Sequence, residues 1–338
     1  MSTHGQEQLN ALWKRGTDFL GSKYAILGGA MTWVSERNLV SAISNAGGFG
    51  VIACGGMTPA MLAAEIEATR KMTDRPFGVN LITLHPDIDN LVAACGDMKV
   101  SHVVLAGGLP SGANIATIKG YGSKLMCFAP TVTLAKKLVR SGVDAILIEG
   151  MEAGGHIGPV STSVLAQEIL PVIEDVPVFV AGGIGRGDAI ASYLGMGASG
   201  VQLGTRFVVA EECVAHEKFK KAFISAKARD AIASVQIDDK FPVIPVRALR
   251  NEGTERFMVT QREVLERFHK GEVSQEDAQM QIEQFWGGAL RRAVVDGDVD
   301  TGSVMAGQSV GMVNKIQPTS EIIDELVMQA VEHLSKSI

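Results

Sequence analysis

The chain has 338 residues, 46% of them hydrophobic and 20% charged, with a formal net charge of −6. That composition supplies ample apolar surface for a core, as two domains or as one large barrel with an appendage. The acidic balance and the scattered lysines and arginines leave no basic patch to hold a phosphate backbone, which argues against nucleic acid as a partner.

The N-terminal stretch, MSTHGQEQLNALWKRGTDFLG, has no apolar core of signal-peptide length. No stretch reaches the ~20 apolar residues of a membrane span, so a soluble cytoplasmic protein without membrane partners is expected. Eight short apolar runs then recur, each followed by a helical pattern. YAILGG (24–29) precedes SERNLVSAISNAG, and FGVIACGG (49–56) precedes PAMLAAEIEATRKM. FGVNLI (77–82) precedes a helix near 86–95, and HVVLAGG (102–108) one near 112–120. KLMCFAP (124–130) leads into TLAKKLVRSG, and AILIEG (145–150) into SVLAQEILPVIED. PVFVAGG (177–183) leads into GDAIASYLGMG, and GVQLGTRF (200–207) into ECVAHEKFKKAFISA. Runs that are continuous rather than alternating mark strands buried on both faces, as in a parallel sheet. Eight strand–helix units predict an α/β fold of the (β/α)8 TIM-barrel type, with an open doubly wound sheet as the competitor.

The pattern breaks after residue 229. FPVIPVRALRNEG is followed by one charged helical segment, REVLERFHKGEVSQEDAQMQIEQFW, and then by GGALRRAVVDGDVDTGSVMAGQSVGMVNK. The expected organisation is a barrel over 1–229, a smaller, mostly helical C-terminal cap over its mouth (230–318), and a last helix (319–338) packing back on the barrel. That helix opens on a capping-box pattern, Thr319 or Ser320 ahead of Glu321 and Asp324. The four cysteines, Cys54, Cys95, Cys127 and Cys213, form no C-x-x-C pair, which predicts free buried thiols rather than disulfides or a metal site.

Glycines cluster where the strands end, the catalytic face of such a barrel. After the seventh and eighth strands, Gly182–Gly183 and Gly204–Thr205 would present backbone N–H groups beside a helix N-terminus, which suits a phosphate dianion. After the first strand, Gly28, Gly29 and Ala30 would let a flat ring lie on the backbone, with Met31 or Trp33 beside it; packing of these residues in the core is the competing reading. Asn80 ends the third strand with an amide that either faces a heteroaromatic edge or caps its own loop. Beyond the sixth strand, EGMEAGGHIG places His156 among glycines, Gly155 included, that admit close approach of a ligand plane. Its imidazole suits proton transfer near neutrality, with Glu149 or Glu152 as an orienting carboxylate. GSVMAGQSVG (302–311) is either a helix N-terminus over the site or a Gly-rich packing contact. An isomerase or lyase barrel would need a lysine or paired carboxylates at the strand ends, and none is evident.

Together these motifs resemble the FMN-dependent nitronate monooxygenase (2-nitropropane dioxygenase-like) flavoproteins, and within them most closely the flavin-type, type II enoyl-acyl-carrier-protein reductases. The resemblance runs along nearly the whole chain: GGAMTWV, NAGGFGVIA, DRPFGVN, EGMEAGGHIG, PVFVAGGI, VQLGTRFVVAEE, VRALRN and GDVDTGSVMAGQ. It implies FMN at the barrel mouth. Gly28, Gly29, Ala30 and Met31 would line the flavin ring and Asn80 would reach it. Glu149 and Gly155 would flank it, and Gly182, Gly183, Gly204 and Thr205 would hold its phosphate. Met305, Ala306 and Gln308 would close over it, and His156 matches the family's active-site histidine. NAD(P)H is the implied co-substrate, and a small or acyl-carrier-linked molecule the implied substrate. The implied reaction is enoyl-thioester reduction, with nitronate oxidation by O2 and quinone reduction as alternatives; a homodimer is one open assembly state. The fourth strand's loop, AGGLPSGAN, departs from the reductases' TGAGNP-like form, and no dedicated NADPH-binding motif is recognisable.

Overall fold

The computed structural model describes residues 3–238, 241 and 243–336. Eight parallel strands form its centre: β1 (Ile26–Gly28), β2 (Gly50–Ala53), β3 (Phe77–Ile82), β4 (His102–Ala106), β5 (Lys124–Phe128), β6 (Ala145–Glu149), β8 (Val178–Ala181) and β9 (Gly200–Leu203). A separate antiparallel sheet holds β7 (Gly155–His156), β10 (Ala231–Ala233) and β11 (Val246–Leu249). The central order is β1-β9-β8-β6-β5-β4-β3-β2. A parallel bridge between Leu27 and Phe49 returns β2 to β1. There the amides of Gly28 and Phe49 donate to Phe49 O and Ile26 O at 2.9 Å. The ring is thus closed as a (β/α)8 barrel, which leaves no open sheet edge. Its strands are apolar end to end because side chains fill the interior and helices cover the outside.

Seven of the outer helices follow their strands as the sequence predicts. Several begin at a hydroxyl that satisfies an orphan amide: Thr58 accepts from Met61 N, Ser111 from Asn114 N and Thr131 from Leu134 N. The eighth place differs from the sequence expectation. The helix after β9, Glu217–Ser225, packs against the turn Gln308–Met312, and the C-terminal helix Thr319–Lys336 lies between Gly187–Gly195 and Arg37–Asn45. It buries Ile322, Ile323, Leu326, Val327, Ala330 and Val331. A Cβ on Gly187 would lie 1.9 Å from Leu326 O, so the two helices approach with no side chain between them.

The capping box predicted for this last helix is replaced by a longer-range cap. The Glu212 carboxylate accepts from Thr319 N at 2.9 Å and from its hydroxyl at 2.7 Å. An ionised acceptor satisfies the helix N-terminus better than a neutral one. Replacing Glu212 with alanine is expected to cost about 1 kcal/mol in urea unfolding, with the barrel's circular dichroism unchanged.

Two N-terminal helices, Thr3–Leu12 and Lys14–Leu20, have no counterpart in the sequence reading. They bury Leu9, Trp13 and Leu20 and close the barrel's lower end. There His102 is sandwiched edge-on between Phe19 and Phe49, with Nε2 2.9 Å from Phe19 O. Desolvation drops the His102 pKa to about 4, aided by nearby Lys124 and opposed by the Phe19 carbonyl.

Between β11 and the last helix, the chain builds a helical hairpin, Glu252–His269 and Gln275–Arg291. The single helical segment expected here is broken at Gly271 (φ +72°), and Ser274 caps the second helix by accepting from Asp277 N. Phe241, Val246, Phe257, Leu265, Ile282 and Trp286 form a core of its own, with the Phe257 and Trp286 rings 4.1 Å apart. Met305 packs against both this core and that of the barrel. The four cysteines are buried free thiols, and burial pushes Cys54, Cys95 and Cys127 up to about 12. Among the described residues no helix is long and apolar enough to cross a membrane.

Candidate active site

The loops at the C-terminal ends of β6, β8 and β9 and the segment 303–308 are knitted together. A Cβ on Gly154 would lie 2.6 Å from Ala306 C and Gly307 N, so these two backbones touch directly. Gly307 N donates to the Thr205 hydroxyl at 3.0 Å, and Gln308 N to Glu152 O at 2.9 Å. A Cβ on Gly183 would fall 2.9 Å from the Glu152 Cβ. The segment 303–307 is extended rather than helical; it pairs with β11 through Ala248 and Met305 before entering the 3-10 turn Gln308–Met312. The structure therefore brings Gly155, His156, Gly182, Gly183, Gly204, Thr205, Met305, Ala306 and Gln308 to one side of the mouth.

The β1 end joins them. A Cβ on Gly204 would meet Met31 Sδ at 3.4 Å, and one on Gly29 would meet the Gln202 side chain at 3.6 Å. Ser35 fixes this loop by donating to Gly29 O and accepting from Met31 N. Ala30 lies between the two, partly buried. Gly28 is spoken for differently: its Cβ would lie 2.5 Å from Ile43 Cδ1, so its missing side chain admits the neighbouring helix. Asn80 is buried across the barrel on β3, its amide donating to Val104 O at 3.3 Å.

His156 does not lie in a free loop. It pairs with Val246 in β7–β11, and Ile157 N donates to Pro245 O. The buried Arg247 anchors the same loop, donating to Met151 O at 3.0 Å and Ala231 O at 2.5 Å. Glu152, one expected orienter of His156, instead accepts from the Thr162 amide at 2.9 Å and hydroxyl at 3.0 Å, where it caps the next helix. The carboxylate on His156 is one the sequence reading missed: Glu283 Oε2 lies 2.9 Å from Nε2. Nothing in a charged helix 127 residues away marks it as a partner. The same helix reaches the opposite rim, where the Arg291 guanidinium stands 5.8 Å from the centre of the Trp33 ring. Glu149 ends β6, and among the described residues its carboxyl accepts no hydrogen bond; burial raises its pKa to about 7, against the pull of His156.

The rim tests well against a flavin mononucleotide. Among the described residues, the amides of Gly183, Gly204 and Thr205 engage no acceptor. The Thr205 hydroxyl, among the described residues, accepts from Gly307 N but donates to nothing, whereas the buried Arg206, next in the chain, gives its guanidinium to Glu325 and Met312 O, with Nε unpartnered. Unpaired amides on side-chain-free backbone after two neighbouring strands fit a phosphate, and Gly29 beside Met31 leaves room for a ring.

The nitronate monooxygenase family matches residues 14–94 and 87–329. A (3aS,4S,5R,7aS)-5-hydroxy-7a-methyl-1-oxo-octahydro-1H-indene-4-carboxyl-CoA dehydrogenase of Mycobacterium tuberculosis is 28% identical, over 94% of this chain and 96% of its own. A probable nitronate monooxygenase of Staphylococcus haemolyticus is 29% identical, over 71% of this chain and 78% of its own. The structure of FabK from Thermotoga maritima, a type II enoyl-acyl-carrier-protein reductase, superposes with a TM-score of 0.85 at 36% identity. That match covers 95% of this chain and 97% of FabK.

Proposed function

Since the chain belongs to the nitronate monooxygenase family and is an oxidoreductase, we propose that it is an FMN-dependent reductase of enoyl thioesters that draws its electrons from NAD(P)H. The observation that carries this reading is the 36% identity to FabK, sustained over 95% of the chain, cap included. The carboxyl-CoA dehydrogenase supports it from another side, because that relative too is named for a thioester.

The chemistry FMN would supply here is hydride transfer, taken from the nicotinamide and given to the β-carbon of the enoyl thioester. The chain supplies binding, orientation and a proton. Gly183, Gly204 and Thr205 would hold the phosphate through their free amides, and the side-chain-free rim at Gly29 would receive the ring. Ala306, fixed by the Gly154 contact, and Met305, packed beside Gly155, would close over the ring and exclude water. His156, with Nε2 engaged by Glu283, has Nδ1 left to deliver a proton to the α-carbon. The sum is one hydride and one proton added across the double bond, with one NAD(P)H oxidised.

Nitronate oxidation is the second reading, favoured by the staphylococcal relative and the family match. Anaerobic mixing separates the two. The proposal expects NADH or NADPH to bleach the bound flavin and crotonyl thioester to restore its colour. A flavin that stays yellow with both nucleotides, in a protein that consumes O2 with alkyl nitronate, overturns it.

A further inference from the structure

We propose that Glu283 is a positioning residue for His156, delivered to the barrel mouth by the cap. The inference rests on the proton role given to His156 above. His156 occupies the last residue of β7, held by its backbone to β11, so its main chain is fixed while nearly half its side-chain surface is open. An open imidazole on a fixed backbone keeps its rotamer freedom, and a proton donor needs one orientation. The contact from Glu283 Oε2 to Nε2 at 2.9 Å supplies that orientation. It takes up Nε2–H, which leaves Nδ1 as the ring nitrogen available to give a proton, and its negative charge stabilises the imidazolium that must form before the proton is delivered. After delivery the neutral ring keeps Nε2–H on Glu283 and regains its proton at Nδ1 from solvent.

The cap is built to hold Glu283 there. Glu283 lies on Gln275–Arg291 between Ile282 and Trp286, both buried in the cap's own core. One helical turn on, Gly287 and Gly288 are exposed, and a Cβ on Gly287 would meet nothing within 4 Å. Two turns on, Arg291 stands over Trp33 on the β1 loop. The helix is therefore tied to both rims of the mouth, on the β6 side through Glu283 and on the β1 side through Arg291. The other carboxylates near His156 are not in its place: Glu152 is spent on Thr162, and Glu149, among the described residues, makes no hydrogen bond to the imidazole.

The test is a double-mutant cycle on flavin-loaded protein, read by stopped-flow absorbance. Glu283→Ala and Glu283→Gln are expected to slow thioester-dependent flavin reoxidation about tenfold, the worth of one partly exposed charge-assisted hydrogen bond. KM and flavin reduction by nicotinamide nucleotide stay within twofold, and Glu283→Asp recovers part of the rate. In a His156→Ala background, Glu283→Ala has no further effect, because it acts only through the imidazole. Independent slowing by the two changes overturns the inference, as does a wild-type rate in Glu283→Ala. If nitronate proves to be the substrate, the same cycle is read on nitronate oxidation, so the enzyme's acceptor and the role of Glu283 fail separately. A readout without substrate is the His156 Nε2–H proton resonance in cold solution. It is expected in the wild type and lost in Glu283→Ala, and its absence from the wild type also counts against the proposal.

Discussion

His156→Ala is expected to slow flavin reoxidation by an enoyl thioester ~10²–10⁴-fold, the usual worth of a placed proton donor. Flavin reduction by the nicotinamide nucleotide takes no proton from His156 and is expected to keep its rate. The substitution is clean because the ring belongs to no core: 45% of its side chain is exposed, and what fixes the residue is the backbone pairing with Val246. Flavin content and circular dichroism should match the wild type, and stopped-flow traces of the two half-reactions separate the effects. Equal slowing of both halves would mean that the histidine places the flavin and not the proton. Unchanged rates in both would remove His156 from the chemistry altogether.

The barrel was legible because its physics is local. A strand buried on both faces must be apolar throughout, so VFVA and AILI announce themselves. The glycines of the mouth were legible for a related reason: where two backbones touch, as Gly154 and Ala306 do, no other residue fits. What stayed hidden depends on contacts distant in sequence. Gly28 looks like Gly29 in the sequence, yet it serves a helix contact with Ile43. Glu217–Ser225 follows β9 like any barrel helix, and only the larger apolar face of Thr319–Lys336 decides which of them takes the eighth place. The N-terminal helices escaped notice because Leu9, Trp13 and Leu20 are spread among polar residues. Glu283 had no local signal, because an exposed glutamate in a charged helix becomes an orienting group only once the cap folds over β7.

Glu149→Gln is expected to stabilise the flavin-stripped protein by about 3 kcal/mol above pH 7 and to leave it unchanged below pH 4.5. The folded-state pKa of Glu149 stands at about 7 against an ordinary 4.5, because the carboxyl is withdrawn from water without a hydrogen-bond partner. A raised pKa favours the fold while both states are protonated. That advantage is lost as pH rises through 7, where the folded protein must carry a desolvated charge; glutamine removes the charge and keeps the shape. His102 works in the opposite sense: its pKa of about 4 against 6.5 gives stability that is present above 6.5 and lost as pH falls towards 4. Urea unfolding of both proteins from pH 4 to 9 therefore gives two curves that coincide below pH 4.5, part between 4.5 and 7, where the unfolded carboxyl is ionised and the folded one is not, and run parallel above 7; His102 shapes both curves alike over the same acid range. Parallel curves across the whole range would show the carboxyl to be solvated and its environment unremarkable. A carboxyl that is half ionised near neutral pH, at a strand end and within electrostatic reach of His156, is costly to the fold for no packing gain. That is the pattern of a group kept for its chemistry at the barrel mouth.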